Sequence, residues 1–250
     1  MDHLAGADYR RPTGRGERVT DRPVPAVLPP SLGARLGLTA LLASLVAGVL
    51  GVLYAGHAEP DGVDRWISRP TADSVRPPWR GVALAVDFLA EPAGAAMLVV
   101  VAATGCLLLR RPRAAVLVVV GTGMTVGTTS LLKPLVGRTI HGEGNLSYPS
   151  GHTAFLTAFA LVMALLAISQ FRIGRTAGAS LVLAASLGAG AAMGWAQVAL
   201  GAHYPTDVLG GWCTALAVVP ATAWLVDRVA DRLGDRGAGP MVDAGRRERR

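Results

Sequence analysis

The stretch YPSGHTAFLTAFALVMALLAI, Tyr148 to Ile168, decides how this chain is read. Its first five residues are polar or conformationally special, and no charged residue then occurs until Arg172. Such a run approaches the roughly 20 apolar residues that a helix needs to cross a bilayer. A histidine, His152, therefore stands at the mouth of a membrane-spanning helix read over 153–168. Ser150 suits the N-cap of that helix, and Gly151 lets backbone come close to a ligand.

Similar runs recur on both sides. Spans are predicted over 34–56, 93–109, 114–132, 176–200 and 206–226, which with 153–168 makes an all-α, six-transmembrane-helix bundle over 35–226. The composition agrees: 51% of the 250 residues are hydrophobic and 16% charged, with a mean hydropathy of +0.42. A soluble domain of this length is less apolar and richer in charge. Residues 81–91, holding Asp87 and Glu91, read as an interfacial lead-in to the second span. Residues 57–80 mix Asp61 and Asp64 with arginines and tryptophans, as a segment at headgroup level does. The ends read as tails, 1–34 polar and disordered and 227–250 charged.

The net charge of +7 does not indicate nucleic acid, because the arginines lie in tails and short loops rather than on one folded face. Membrane lipids are the expected partners, and oligomeric state is not legible. Arg110, Arg111 and Arg113 follow the second span without an acid, and Arg172 and Arg175 follow the fourth. The positive-inside rule puts these loops and both termini in the cytoplasm of a multi-pass protein. Lys133 to His152 and Leu200 to Thr206 then share the outer face. Cys106 and Cys213 read as packing residues. Gly123-x-x-x-Gly127 and Gly190-x-x-x-Gly194 read as close helix packing within the chain.

The outer face holds the candidate chemistry. In Gly201-Ala202-His203-Tyr204-Pro205-Thr206-Asp207, proline suits a first helical turn, so His203 precedes the sixth span and Asp207 lies one turn inside. A carboxylate at that depth is costly unless paired. Pairing with His203 fixes the ring tautomer and aims its other nitrogen outward as a nucleophile. The free N–H groups beyond Ser150 form an anion site, into which His152 can deliver a proton. Lys133, the only lysine, and Arg138 supply cationic donors for phosphate oxygens. His3 and His57 have no such neighbours and read as surface or interfacial residues.

These residues, in this order, resemble the type 2 phosphatidic acid phosphatase superfamily of membrane lipid phosphatases. Pro149-Ser150-Gly151-His152 matches its second motif, and His203 and Asp207 match the end of its third. The resemblance implies a metal-independent, cofactor-free lipid phosphate hydrolase acting on substrates such as phosphatidic acid or undecaprenyl diphosphate. It makes His203 the nucleophile that becomes phosphohistidine, Asp207 its orienter and His152 the acid and later base. Lys133, Ser150 and Gly151 would hold phosphate oxygens.

Two positions depart from the family pattern. The first motif's Lys-x6-Arg-Pro places Ile140, followed by His141, where arginine is expected. The third motif's arginine is Gln197, after Ala196. Losing one charge-assisted donor can cost about 3 kcal/mol, near a hundredfold in rate. Arg138 and Gln197 are therefore expected to bind phosphate in compensation. The alternative is a catalytically silent relative that binds lipid phosphate or acts as a scaffold. A metal site of His141, His152, His203 and Asp207 is a third reading.

Overall fold

The computed structural model describes residues 26–237, and among these it forms eight helices and no strand. They are α1 (Gly33–Leu53), α2 (Gly62–Ser74), α3 (Trp79–Phe88), α4 (Pro92–Leu108), α5 (Pro112–Val136), α6 (Gly151–Phe171), α7 (Arg175–Ala199) and α8 (Pro205–Gly237). Five of them, α1, α5, α6, α7 and α8, are long and apolar enough to cross a membrane. A sixth span results if α3 and α4 count as one, bent by 59° at their junction. The all-helical, multi-span architecture read from hydropathy is thus present. The second span differs in being a broken pair rather than one rod with an interfacial lead-in.

Local chemistry sets the helix ends. Ser150 caps α6, its side chain accepting from the Thr153 amide, and Asp61 caps α2 by accepting from the Asp64 amide at 2.7 Å. Gly137 ends α5 at φ +64°, a left-handed conformation that glycine adopts without penalty. Pro112 and Pro205 open α5 and α8, where a missing N–H costs nothing.

The core lies among α5, α6 and α8, with α1 against α8 and α7 against α6. Leu117, Val118, Leu161, Val162, Leu165 and Val219 are buried there. Leu41, Leu45 and Val49 of α1 point outward, as side chains facing lipid do. Gly190 and Gly194 lie against α8, where an added Cβ would meet the Trp212 ring at 2.4 Å and the Val208 side chain at 2.5 Å. That pair is close packing within the chain, as read. Gly123 and Gly127 have no neighbour within 4 Å of such a Cβ; on α5 it is Gly121 that packs instead, against Val162.

The loops after α1, α5 and α7 gather at one end, where the Gly56 amide donates to the Val136 carbonyl and His141 meets the Gly201 carbonyl. The arginine loops after α4 and α6 gather at the other, together with both described termini. At that second end the disorder expected for 1–34 does not extend to its last residues, and the charged tail from 227 begins as helix. Residues 1–25 and 238–250 lie outside the described residues, but 26–34 and 227–237 are part of the fold. Val27 and Leu32 are buried, because the Asp227 carboxylate accepts the Val27 amide at 2.9 Å and the Leu28 amide at 2.8 Å. Arg113 pairs with Asp231 at 2.8 Å on the charged continuation of α8.

Candidate active site

At the first end, the loop after α5 folds back over the bundle. Ser147 donates its amide to the Arg138 carbonyl at 2.8 Å, and the Lys133 ammonium donates to the Leu146 carbonyl at 2.9 Å. This leads the chain into Ser150 at the head of α6. The Ser150 amide donates to the Asp207 carbonyl at 3.0 Å, joining that head to the first turn of α8.

Six residues singled out in the sequence gather at this end. Lys133, Gly151 and His152 line one cavity of about 620 Å³, walled by Ala95 of α4, Val126, Thr129 and Pro134 of α5, and Phe155 of α6. His203, in the loop between α7 and α8, is buried, with Nδ1 3.7 Å from Asp207 Oδ2. That is too long for a hydrogen bond, but catalytic hydrogen bonds commonly tighten only when substrate is bound. Burial pushes the His203 ring below its ordinary pKa, and the nearby Lys133 and His152 push the same way. Asp207 opposes both. A low-pKa imidazole is neutral at physiological pH, as a nucleophile must be. Ser150 faces Thr153, with 3.1 Å between the hydroxyls, and so serves as a cap.

Two residues expected at the phosphate are not among those lining the cavity. Arg138 is fully buried. Its Nη1 donates to Asp207 Oδ1 at 2.7 Å and Thr206 Oγ1 at 2.6 Å, and its Nη2 to Asp64 Oδ2 at 2.5 Å. Its guanidinium carbon also sits 4.1 Å from the Tyr54 ring centre and 4.7 Å from that of Tyr204. A buried guanidinium with both end nitrogens bonded and two tyrosine rings against it is engaged by the protein itself. Gln197 is buried too, and its Nε2 donates to Asp87 Oδ1 at 2.5 Å. Ile140 is buried and apolar. Among the described residues, Lys133 is the only lysine or arginine lining the cavity.

The sequence reading missed Asp64, Asp87 and Glu91. His152 Nε2 lies 3.7 Å from both Asp87 Oδ1 and Glu91 Oε1. Among the described residues, these three form a group of potential metal ligands whose donor atoms lie within 4.8 Å of one another. The set proposed from sequence does not converge in that way. His141 Nε2 contacts the Gly201 carbonyl at 2.8 Å, and the Asp207 oxygens bond to Arg138 and to the Tyr204 amide. Acids interrupting an apolar run were the available signal for Asp87 and Glu91, since carboxylates at membrane depth are rarely idle.

An all-helical membrane bundle with two histidines, an acid and a lysine gathered at one end defines the class. The chain belongs to the PAP2 superfamily, whose family model matches residues 33–231. Among solved structures it is similar to the crystal structure of a transmembrane PAP2-type phosphatidylglycerolphosphate phosphatase from Bacillus subtilis. The TM-score is 0.62 at 21% sequence identity, covering 78% of this chain and 96% of that one. No curated protein matches the chain in sequence.

Proposed function

We propose that the protein is a metal-independent hydrolase of lipid phosphate or polyprenyl diphosphate, working through a phosphohistidine. The observation that carries this reading is the cavity itself, where Lys133, Gly151 and His152 stand at the end of apolar walls from α4, α5 and α6. A chain of methylenes suits the walls and a phosphate suits the end. His203 would attack phosphorus while Asp207 holds its Nδ1–H, as a carboxylate fixes a working tautomer. His152 would protonate the departing oxygen and then take a proton from water. Lys133 and the free N–H groups of the first turn of α6 would neutralise the phosphoryl oxygens.

The arginine loops lie at the end opposite the site, which supports cytoplasmic termini and hydrolysis at the outer leaflet. The silent-relative reading draws support from one fact: neither Arg138 nor Gln197 offers a donor to the cavity. Turnover separates the two. Purified protein in detergent should release phosphate from phosphatidate, phosphatidylglycerol phosphate or polyprenyl diphosphate, and His203→Ala should stop it. Binding of these lipids without release by wild type would establish the silent relative.

A further inference from the structure

Asp64 belongs to the first turn of α2, in the segment between α1 and α3 whose composition suggested only an interface with headgroups. Yet it has no solvent exposure. A buried carboxylate persists only when paired and hydrogen-bonded, and the side chain of Asp64 is held by Arg138 and Thr206, beside Asp207. Its Oδ2 accepts from Arg138 Nη2, and its Oδ1 accepts from the Thr206 amide at 3.1 Å and the Thr206 hydroxyl at 2.9 Å. The α2 helix is anchored beside this point by Asp61, whose carboxylate accepts from the Tyr54 hydroxyl at 2.5 Å. Tyr54 in turn covers one face of Arg138.

Arg138 thus lies between two carboxylates, Asp64 of α2 and Asp207 of α8. On Asp207 it takes Oδ1 at 2.7 Å, while Oδ2 accepts the Tyr204 amide at 3.0 Å and faces His203. We propose that Asp64 is a positioning residue for phosphoryl transfer, acting through Arg138 on Asp207 and so on His203. It does two things. It fixes the guanidinium that aims Asp207, and it balances the guanidinium's charge, so that the three groups together present a net negative charge to the imidazole. Without Asp64 the arginine would draw on Asp207 alone, and the positively charged ring formed on attack would lose electrostatic support. The other titratable groups facing His203 are Lys133 of α5 and His152 of α6, and both act against that positive charge.

This proposal rests on the hydrolase reading above. The test uses the full chain in detergent with whichever of phosphatidate, phosphatidylglycerol phosphate and polyprenyl diphosphate wild type turns over, comparing wild type, Asp64→Asn, Asp207→Asn and the double variant. Asp64→Asn is expected to lower kcat about tenfold with KM within about twofold, because the lost interaction acts in the transition state. The acid limb of its kcat/KM profile should move to lower pH, since an imidazolium with less negative charge nearby releases its proton more readily. In the Asp207→Asn background the same change should cost less than about twofold, as coupled residues do. Unchanged kcat and an unmoved limb, even with lowered stability, would reduce Asp64 to a structural contact and overturn the proposal. Full additivity in the double variant would overturn it as well.

Should Asp64→Asn not fold, Asp64→Glu keeps the charge and displaces it by one methylene. It is expected to keep the limb in place and lower kcat at least about threefold, and unchanged kcat would overturn the proposal. Absence of turnover in wild type would remove this proposal together with the hydrolase reading. An active wild type silenced by His203→Ala, with Asp64 variants unchanged, would remove this proposal alone.

Discussion

Gly211 of α8 lies so close to Ser150 that a Cβ added to it would stand 2.3 Å from the Ser150 carbonyl oxygen. One turn of α8 is therefore pressed onto the residue that caps α6. The neighbouring Gly210 does the same against Tyr148, whose ring a Cβ would meet at 2.4 Å. These two glycines set the spacing between the helix that carries Asp207 and the helix that carries His152.

Gly211→Ala should consequently separate the two halves of the site. Backbone cannot yield as a flexible side chain can, so the cost should be about 1–3 kcal/mol of stability. Turnover should fall by about a hundredfold, the scale of a displacement of about 1 Å between reacting groups. Thermal unfolding in detergent and phosphate release measure the two effects. Wild-type activity in Gly211→Ala would show that the α6–α8 spacing does not govern the chemistry.

Arg138→Ala leaves Asp64 and Asp207 buried without their shared cation. Removing one member of a buried ionic network costs about 3–5 kcal/mol, so the variant should unfold at markedly lower temperature. Arg138→Lys keeps the charge but loses the planar fork and its stacking on Tyr54 and Tyr204, so it should fall between. A stable Arg138→Ala with weakened vanadate inhibition would restore Arg138 to the phosphate site.

The pH profile gives a separate handle on His203. Burial depresses its pKa below the ordinary 6.5 and Asp207 partly restores it. A nucleophilic imidazole works when unprotonated, so activity should be lost on the acid side, below pH 6.5. Asp207→Asn removes the restoring charge, so its acid limb should lie lower still while the rate falls steeply at every pH. A limb that moves upward in Asp207→Asn would contradict the assignment of His203 as the attacking base.

Membrane orientation is open to labelling. In a variant without Cys106 and Cys213, a cysteine at Gly144 should react with an impermeant reagent from outside the cell, and one at Gly174 should not. Both positions are exposed, at opposite ends of the bundle. The reverse pattern would place the chemistry in the cytoplasm.

The fold was legible because membrane spans are written in long apolar runs, and His152, His203, Asp207 and Lys133 because their motifs sit where those runs begin or end. The broken span was harder. Asp87, Glu91 and Pro92 were visible as interruptions, but a bend of 59° at that point depends on α4 packing against α5. It also depends on Gly94, where a Cβ would collide with the Phe88 carbonyl. Arg138 misled for another reason. A lone arginine near a phosphate motif looks like a phosphate ligand until Asp64, 74 positions away, is found beside it. No local spacing encodes such a pairing. The fate of Gln197 was hidden likewise, since its partner Asp87 is 110 positions distant.

The cavity holding Lys133 and His152 is walled partly by residues such as Val126, Ser130 and Pro134, whose side chains are exposed on the outer surface of the bundle. Under the proposed function, a lipid could slide in from the bilayer without leaving it. Catalysis would then be a two-dimensional encounter, with a rate set by the mole fraction of substrate in the leaflet rather than by its bulk concentration. Adding inert lipid at constant total substrate would slow such an enzyme by dilution within the surface.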